Sequence, residues 1–283
     1  MKKSLAMLLA GAMVIASLTA CGGSQKKETT AETKAETKAE TTEEATAETK
    51  KAAADDGKTY KIGVLQLVEH AALDASNKGF VAALDDAGIA YEIDQQNAQG
   101  DQSACQTIAE KLVNDGNDLI LAIATPAAQA VAGCTTEIPI VGTAITDYAA
   151  SGLVDDNAAP GGNVTGSSDL TPIEAQIGLL KKVLPEAKTV GVLYCSAESN
   201  SEIQLQMTKE VCKNEGLEVV EFSVASSNEI QSVVESAVGK VDALYSFTDN
   251  TIAAGMNTVA MVANENNLPV ICGEEGMVEA GLL

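Results

Sequence analysis

The feature that most constrains this chain is an alternation of short apolar runs with amphipathic stretches, and it occurs twice. Residues 60–68 form an apolar, β-branched run that reads as a strand. Residues 71–87 carry Phe80, Val81 and Leu84 at helical spacing and are closed by Gly88. A second strand is expected over 89–94. The next helix has the clearest periodicity: Cys105, Ile108, Ala109, Leu112 and Val113 fall at i, i+3, i+4, i+7 and i+8 and stop near Gly116. A strand at 118–124, a helix at 126–132 and a strand at 138–142 complete a βαβαβαβ series. Such a series argues for a parallel sheet covered on both faces by helices.

A stretch rich in Gly, Asp and Asn follows over 147–168, including Pro160-Gly161-Gly162-Asn163. The alternation then restarts. Helices are expected at 172–184 (stopped by Pro185), 201–214, 228–238 and 251–264. Strands are expected at 189–194, 217–223, 243–247 and 269–272. The fold class is therefore α/β, with two doubly wound parallel-sheet lobes at 58–147 and 171–272. A hinge or crossover at 148–170 joins them, and 273–283 begins a return crossover.

Residues 1–56 differ in character. Lys2 and Lys3 precede an apolar run of about 14 residues, too short to span a bilayer comfortably, which reads as a secretory signal. The segment Leu18-Thr19-Ala20-Cys21-Gly22 resembles a bacterial lipobox, which makes residues 1–20 a lipoprotein signal peptide and Cys21 the acylated N-terminus. Residues 21–57 then form a tether of Thr-Ala-Glu-Thr-Lys repeats with no large apolar side chain, so burial cannot offset its ordering entropy. As a coil of some 35 residues it would average roughly 30–35 Å end to end.

Charge narrows the partners. Asp and Glu number 40 against 18 cations, for a formal net charge of −22. All 18 cations are Lys and none is Arg. So acidic a surface repels phosphate backbones, which excludes nucleic acid as a natural partner. Without Arg, bidentate guanidinium capture of a carboxylate or phosphate is unavailable. After Cys21 five cysteines remain, an odd number without a CxxC or metal-like spacing, and they read as buried free thiols. No metal and no cofactor is expected.

Lobes of this kind bind ligands beyond the carboxyl ends of their strands. In the first lobe those ends are Gln66 to His70, Ala124-Thr125-Pro126, and Ala144 to Asp147, which includes Thr146. In the second they are Tyr194 to Ala197, Phe247 to Asn250, and Gly273-Glu274. A free amino acid presents a carboxylate and an ammonium. Thr125, or Ser196, Asn200 and Ser201, could hold the carboxylate at a helix N-terminus, although plain N-capping would also suit them. Asp249, directly after a strand, is the first choice for the ammonium, with Asp147, Asp169 and Glu274 behind it. Ser168 lies beside Asp169 at the interlobe crossing. His70, the only His, reads as a hydrogen-bonding or stacking wall; Leu67, Val68 and Leu73 could supply apolar walls. Thr248 and Asn250 flank Asp249 at the same strand end. Tyr148 and Tyr194 are the aromatics expected near the mouth.

Several segments resemble one family. They are Ile62-Gly63-Val64-Leu65-Gln66-Leu67-Val68-Glu69-His70 with Ala72-Leu73-Asp74 and Gly79-Phe80, then Ala124-Thr125-Pro126-Ala127-Ala128-Gln129 and Gly162-Asn163-Val164-Thr165-Gly166. Thr248-Asp249-Asn250-Thr251 and Gly276-Met277-Val278 follow in order. Together, over residues 58–283, they resemble the tryptophan/tyrosine-type substrate-binding proteins of ABC transporters. The resemblance implies a type I periplasmic-binding fold that closes on one amino acid, most readily an aromatic one, and delivers it to a membrane permease and its ATPase. It implies attachment by the lipid on Cys21 at the extracytoplasmic face, with a Gram-positive surface favoured. Members of the family run further than Gly281-Leu282-Leu283, so the chain is expected to be cut short at its C-terminus. The alternatives are a lipoprotein that senses ligand for a membrane receptor, or an enzyme on the same scaffold. Against the enzyme, the chain has no G-x-S-x-G, no G-x-x-x-x-G-K-[ST] and no G-x-G-x-x-G after the first strand; a Cys195–His70 pair is the remaining catalytic arrangement.

Overall fold

A computed structural model describes residues 57–282; the expected signal peptide, the expected lipidation site at Cys21 and most of the expected tether lie outside the described residues. Two parallel sheets organise the chain. The first has the order β2-β1-β3-β4-β5, from β1 (Tyr60–Gln66), β2 (Tyr91–Asn97), β3 (Leu119–Ile123), β4 (Ile140–Ile145) and β5 (Val164–Ser168). The second has the order β7-β6-β8-β9, from β6 (Thr189–Cys195), β7 (Glu218–Val224), β8 (Ala243–Ser246) and β9 (Val270–Cys272). The central strands β1 and β6 are buried on both faces, which is why they read as unbroken apolar runs instead of alternating ones.

The helices follow from local signals. In α1 (Ala71–Ala87) the last turn ends on Gly88 in the left-handed region, as a C-terminal glycine permits. In α2 (Gln102–Asn114) Asp101 caps the first turn by accepting from the Ser103 and Ala104 N–H groups, and Cys105, Ala109 and Leu112 are buried as their spacing requires. The others are α3 (Thr125–Cys134), α4 (Ile173–Val183), α5 (Ser199–Asn214), α6 (Ile230–Ala237), α7 (Asn250–Ala254), α8 (Met256–Glu265) and α9 (Glu275–Glu279).

Three expectations change. Residues 164–168 are a strand, not part of a connecting loop: β5 pairs with β4, with Gly142 opposite Gly166. A Cβ on Gly166 would sit 2.0 Å from the Gly142 carbonyl oxygen, so only glycine lets the two strands approach. The first lobe therefore runs to Ser168, and the described crossing is only Asp169 to Pro172. The helix expected over 251–264 is broken at Gly255, where a Cβ would lie 2.2 Å from Ile230 Cδ1 of α6. The tail after β9 forms α9, capped by the Glu274 carboxylate on the Gly276 and Met277 N–H groups at 3.0 and 2.9 Å.

Each lobe has its own apolar core, with Leu65, Leu112, Ile120 and Ile123 in the first and Leu193, Val234, Leu244 and Val259 in the second. Cys105, Cys195, Cys212 and Cys272 are buried free thiols and Cys134 is half-buried. The five ion pairs among the described residues lie on the surface, where each contributes little.

Candidate functional site

The strand ends of the two lobes face each other across a cavity of about 150 Å³. This is a space for one small solute, below the roughly 300–1,000 Å³ of drug-sized pockets. From the first lobe come His70, Ala72 and Leu73 at the start of α1, and Ala144 and Thr146 at the end of β4. Asp169 and Thr171 line it from the crossing. From the second lobe come Asn200 of α5, Thr248, Asp249, Asn250 and Ala253 around α7, and Glu274 and Met277 around α9. Among the described residues no lysine lines it. Wider grooves, about 610 Å³ between α1 and β2 and about 580 Å³ at another rim of the cleft, are more open to solvent.

Polar groups at the cavity divide sharply into satisfied and unsatisfied. Asp249 is buried with both oxygens engaged. Oδ2 accepts from the Cys195 N–H and the Ser201 hydroxyl, each at 2.6 Å, and Oδ1 caps α7 by accepting from Ile252 N–H at 2.9 Å. Burial, and then the nearby Glu198 charge, raise its pKa above the usual carboxylate range. Glu198 is also buried and accepts four hydrogen bonds, from Asn200 Nδ2, Asn250 Nδ2, Thr251 N–H and the Thr251 hydroxyl. By contrast, Asp169 Oδ1, Thr171 Oγ1 and Asn200 Oδ1 are buried atoms with no hydrogen-bond partner in the protein. Burial, with Glu274 adding repulsion, pushes the Asp169 carboxyl up to about 6.

Direct bonds hold the lobes together around this space. His70 Nε2 lies 3.4 Å from Asn250 Oδ1, and the Ser199 hydroxyl donates to Gln129 Oε1 at 3.1 Å. Gln102 Nε2 donates to the Ala197 carbonyl. Gln204 Nε2, itself held within the second lobe by donating to Thr248 O at 2.8 Å, reaches Thr146 Oγ1 of the first lobe at 3.5 Å.

Of the residues singled out by sequence, His70, Leu73, Thr146, Asp169, Asn200, Thr248, Asp249, Asn250 and Glu274 meet at the cavity. Five do not. Gln66 turns toward α1, donating to Asp74 Oδ1 at 2.7 Å and accepting from Asn77. Thr125 is buried beneath the first turn of α3. Asp147 shapes its own loop by accepting from Ala150 N–H and Asn157 Nδ2, both at 2.9 Å. The Ser168 hydroxyl donates to Thr146 O at 2.7 Å, and Ser196 donates to Val224 O at 3.2 Å on the exposed surface. In four of the five the polar side chain found a local partner; the Thr125 hydroxyl is buried without one, away from the cavity.

The expected aromatics are also elsewhere. Tyr148 donates to Ser167 O under the β4–β5 edge, and Tyr194 packs on Phe247 and donates to Glu221. Leu67 and Val68 line the cleft rim, not the cavity. Ala144 lay within the strand end named from sequence, whereas Thr171, Ala72, Ala253 and Met277 were not singled out as site residues; the signal available for Thr171 was its place before Pro172 at a helix start. Cys195 is buried, and burial raises its thiol pKa, so the Cys195–His70 pair lacks a ready thiolate.

Two parallel-sheet lobes, crossed by a short connection and enclosing a solute-sized cavity between their strand ends, define a type I periplasmic binding protein. The comparisons agree and give the family. The chain belongs to the ABC transporter substrate binding protein family, whose pattern it matches over residues 61–283. It is 42% identical over 286 residues to a "Tyrosine-binding protein" of Clostridioides difficile (strain R20291), spanning 100% of this chain and 78% of that one. A domain solved in complex with L-Trp from Streptococcus pneumonia is 43% identical, with TM-score 0.77, covering 80% of this chain and 78% of that one. The ligand-free, open structure of a substrate-binding protein with adhesive properties from Clostridium difficile is 46% identical at the same coverages, 80% and 78%, yet its TM-score is 0.56. Near-equal identity with unequal superposition means that the lobes here sit closer to the arrangement of the L-Trp complex than to the open one.

Proposed function

We propose that the cavity takes a free amino acid, an aromatic one by preference, and that the protein presents it to the permease and ATPase of an ABC importer. The observation that carries the reading is the buried, unpartnered Asp169 Oδ1 in a cavity lined by no lysine among the described residues. A buried carboxylate oxygen without a partner is costly unless a cation arrives, and an α-ammonium supplies both the charge and three N–H donors. Thr171 Oγ1 and Asn200 Oδ1 are the other two unsatisfied acceptors on that cavity. Asp249, the first choice from sequence, has its lone pairs taken and serves better as the internal tie of β6, α5 and α7.

The ligand carboxylate is assigned to the start of α1. His70 occupies the N-cap there without a side-chain capping bond, and Ala72 and Leu73 of the first turn line the cavity. Orphan N–H groups at a helix start suit an anion, and in a chain without Arg they are a natural device for it. An aromatic side chain would lie against Leu73, Met277 and His70, with the thioether making a favourable ring contact. The names of the relatives, one tyrosine-binding and one solved with L-Trp, support the same substrate class. Because α1 belongs to one lobe and Asn200 to the other, a ligand held at both ends favours closure by its differential affinity for the closed form. In the same reading, the lipid on Cys21 and the tether keep the lobes near the membrane at the extracytoplasmic face.

A thermal-shift and calorimetry panel tests this on the acyl-free protein with Trp, Tyr, Phe, Leu, Glu and a nucleoside. At about a hundred times Kd, bound ligand should add roughly 2.7 kcal/mol. Shifts confined to aromatic amino acids support the reading; a shift with the nucleoside alone overturns it.

A further inference from the structure

Glu198 sits behind the cavity rather than on it, and its bonding decides what the cavity presents. It is the N-cap residue of α5 yet makes no capping bond to that helix. Its Oε1 instead accepts from the Thr251 backbone N–H at 2.9 Å and the Thr251 hydroxyl at 2.8 Å. Its Oε2 accepts from Asn250 Nδ2 at 2.6 Å and from Asn200 Nδ2 at 3.2 Å. An ionised carboxylate only accepts, so the amide edge that each Asn turns toward it must be its NH₂. Both carbonyl oxygens are thereby directed away from Glu198. Asn200 Oδ1 becomes an unpartnered buried acceptor at the cavity, and Asn250 Oδ1 faces His70 Nε2 across the cleft at 3.4 Å.

We infer that Glu198 is a positioning residue that sets the polarity of the cavity: by fixing the orientation of two asparagine amides it selects a ligand bearing a cationic donor and rejects the same ligand without one. The inference rests on the assignment of the ammonium to this cavity. The backbone makes the arrangement directional. In Glu198→Gln the carbonyl of the new amide must face the Thr251 N–H, because that donor cannot turn round. The new NH₂ then faces Asn200 and Asn250, and both must flip to present oxygen to it. The flip points the Asn200 NH₂ into the cavity, where it repels an ammonium.

The test measures the affinity of wild type, E198Q and the double variant E198Q/N200D for two pairs of probes. These are L-tryptophan with 3-indolepropionate, and L-tyrosine with 3-(4-hydroxyphenyl)propionate. Wild type should prefer each amino acid over its deaminated partner. In E198Q that preference should fall by about tenfold to a hundredfold, with the deaminated acids bound as well as before or better. In the double variant, one oxygen of the carboxylate introduced at position 200 accepts from the amide introduced at position 198. The other oxygen faces the cavity, so the preference should return. If Glu198 merely caps α7, E198Q lowers the melting temperature and weakens both members of each pair alike, with no rescue, and the proposal is overturned. An unchanged preference in a folded E198Q overturns it equally. Wild type showing no preference, or binding none of the four probes, removes the ammonium assignment and this inference together.

Discussion

The two lobes are built alike and finish differently. Each places a glycine-containing apolar strand second from one edge, in the matching orders β2-β1-β3-β4 and β7-β6-β8-β9. Each ties that strand's start to an aspartate: Asp118 accepts from Lys61 N–H at 2.8 Å, and Asp242 accepts from Lys188 and Thr189 N–H at 2.7 and 2.8 Å. At the cleft the likeness ends. The first lobe offers apolar walls and the start of α1, which has no side-chain cap. The second offers acceptor oxygens and commits its own donors to Glu198 and Asp249. In the proposed reading one lobe meets an anion and the other, with the crossing, meets a cation. A zwitterion is complementary to the pair and to neither lobe alone.

The largest effect is expected where the second lobe is tied together. Asp249→Ala strands three donors (Cys195 N–H, Ser201 Oγ–H and Ile252 N–H) and should destabilise the protein by about 3–4 kcal/mol. That is a fall of roughly 10 °C in melting temperature. A variant that melts normally but fails to bind would return Asp249 to the ligand and break the contrast between the lobes.

Asp169→Asn should act in the opposite sense. Affinity for the amino acid falls by about a hundredfold, because a desolvated charge partner is lost, while the melting temperature of the free protein holds or rises. Calorimetry with the deaminated acids sharpens the point, since they should lose far less.

The pH dependence follows from the same carboxyl. Its pKa is raised on folding to about 6, so its contribution to the stability of the free protein is present below the unfolded value near 4 and is lost as pH rises through 6. Ligand binding runs the other way, because an ammonium needs the carboxylate. Affinity should fall by up to about tenfold per pH unit below pH 6, and a flat profile would separate Asp169 from the ammonium. Asp169→Asn should flatten the wild-type profile.

The smallest effect concerns the first lobe alone. Ala124, between β3 and α3, is held at φ 83° and ψ 152°, a conformation that glycine adopts and other residues resist. Ala124→Gly should therefore stabilise the protein by about 1 kcal/mol after the entropic cost of glycine. Denaturant melts would read this, and destabilisation would mean that the Ala124 methyl group contributes more to packing than its backbone strain costs.

Much of this architecture was legible because period-2 and period-3.6 burial is written locally. Cys105, Ala109 and Leu112 declare α2 by themselves, and the apolar runs of β1 and β6 declare buried parallel strands. The strand β5 was not legible. Thr165-Gly166-Ser167-Ser168 has no apolar period, and only pairing with β4, allowed by the absence of a Cβ on Gly166, makes it a strand. At the break between α7 and α8, Gly255 faces Ile230 of a different helix, a neighbour that the local sequence does not reveal.

At the site, the strand-end rule found the neighbourhood but not the roles. His70, Asn200 and Asn250 could be named from sequence because topology alone brings strand ends together. That Asp249 is fully engaged while Asp169 keeps an unpartnered oxygen could not be read, since an acidic chain supplies carboxylates everywhere and partnership is a matter of distance. Glu198 stood in plain view before Ser199-Asn200-Ser201, one acid among forty Asp and Glu. The sequence by itself determined the two α/β lobes, the parallel sense of their sheets, and the absence of guanidinium from any ligand site; the strand orders came from the tertiary structure. Only the tertiary structure decided which carboxylates are satisfied and which way two amides face, because hydrogen bonds act over about 3 Å and residues that meet across a cleft lie far apart along the chain.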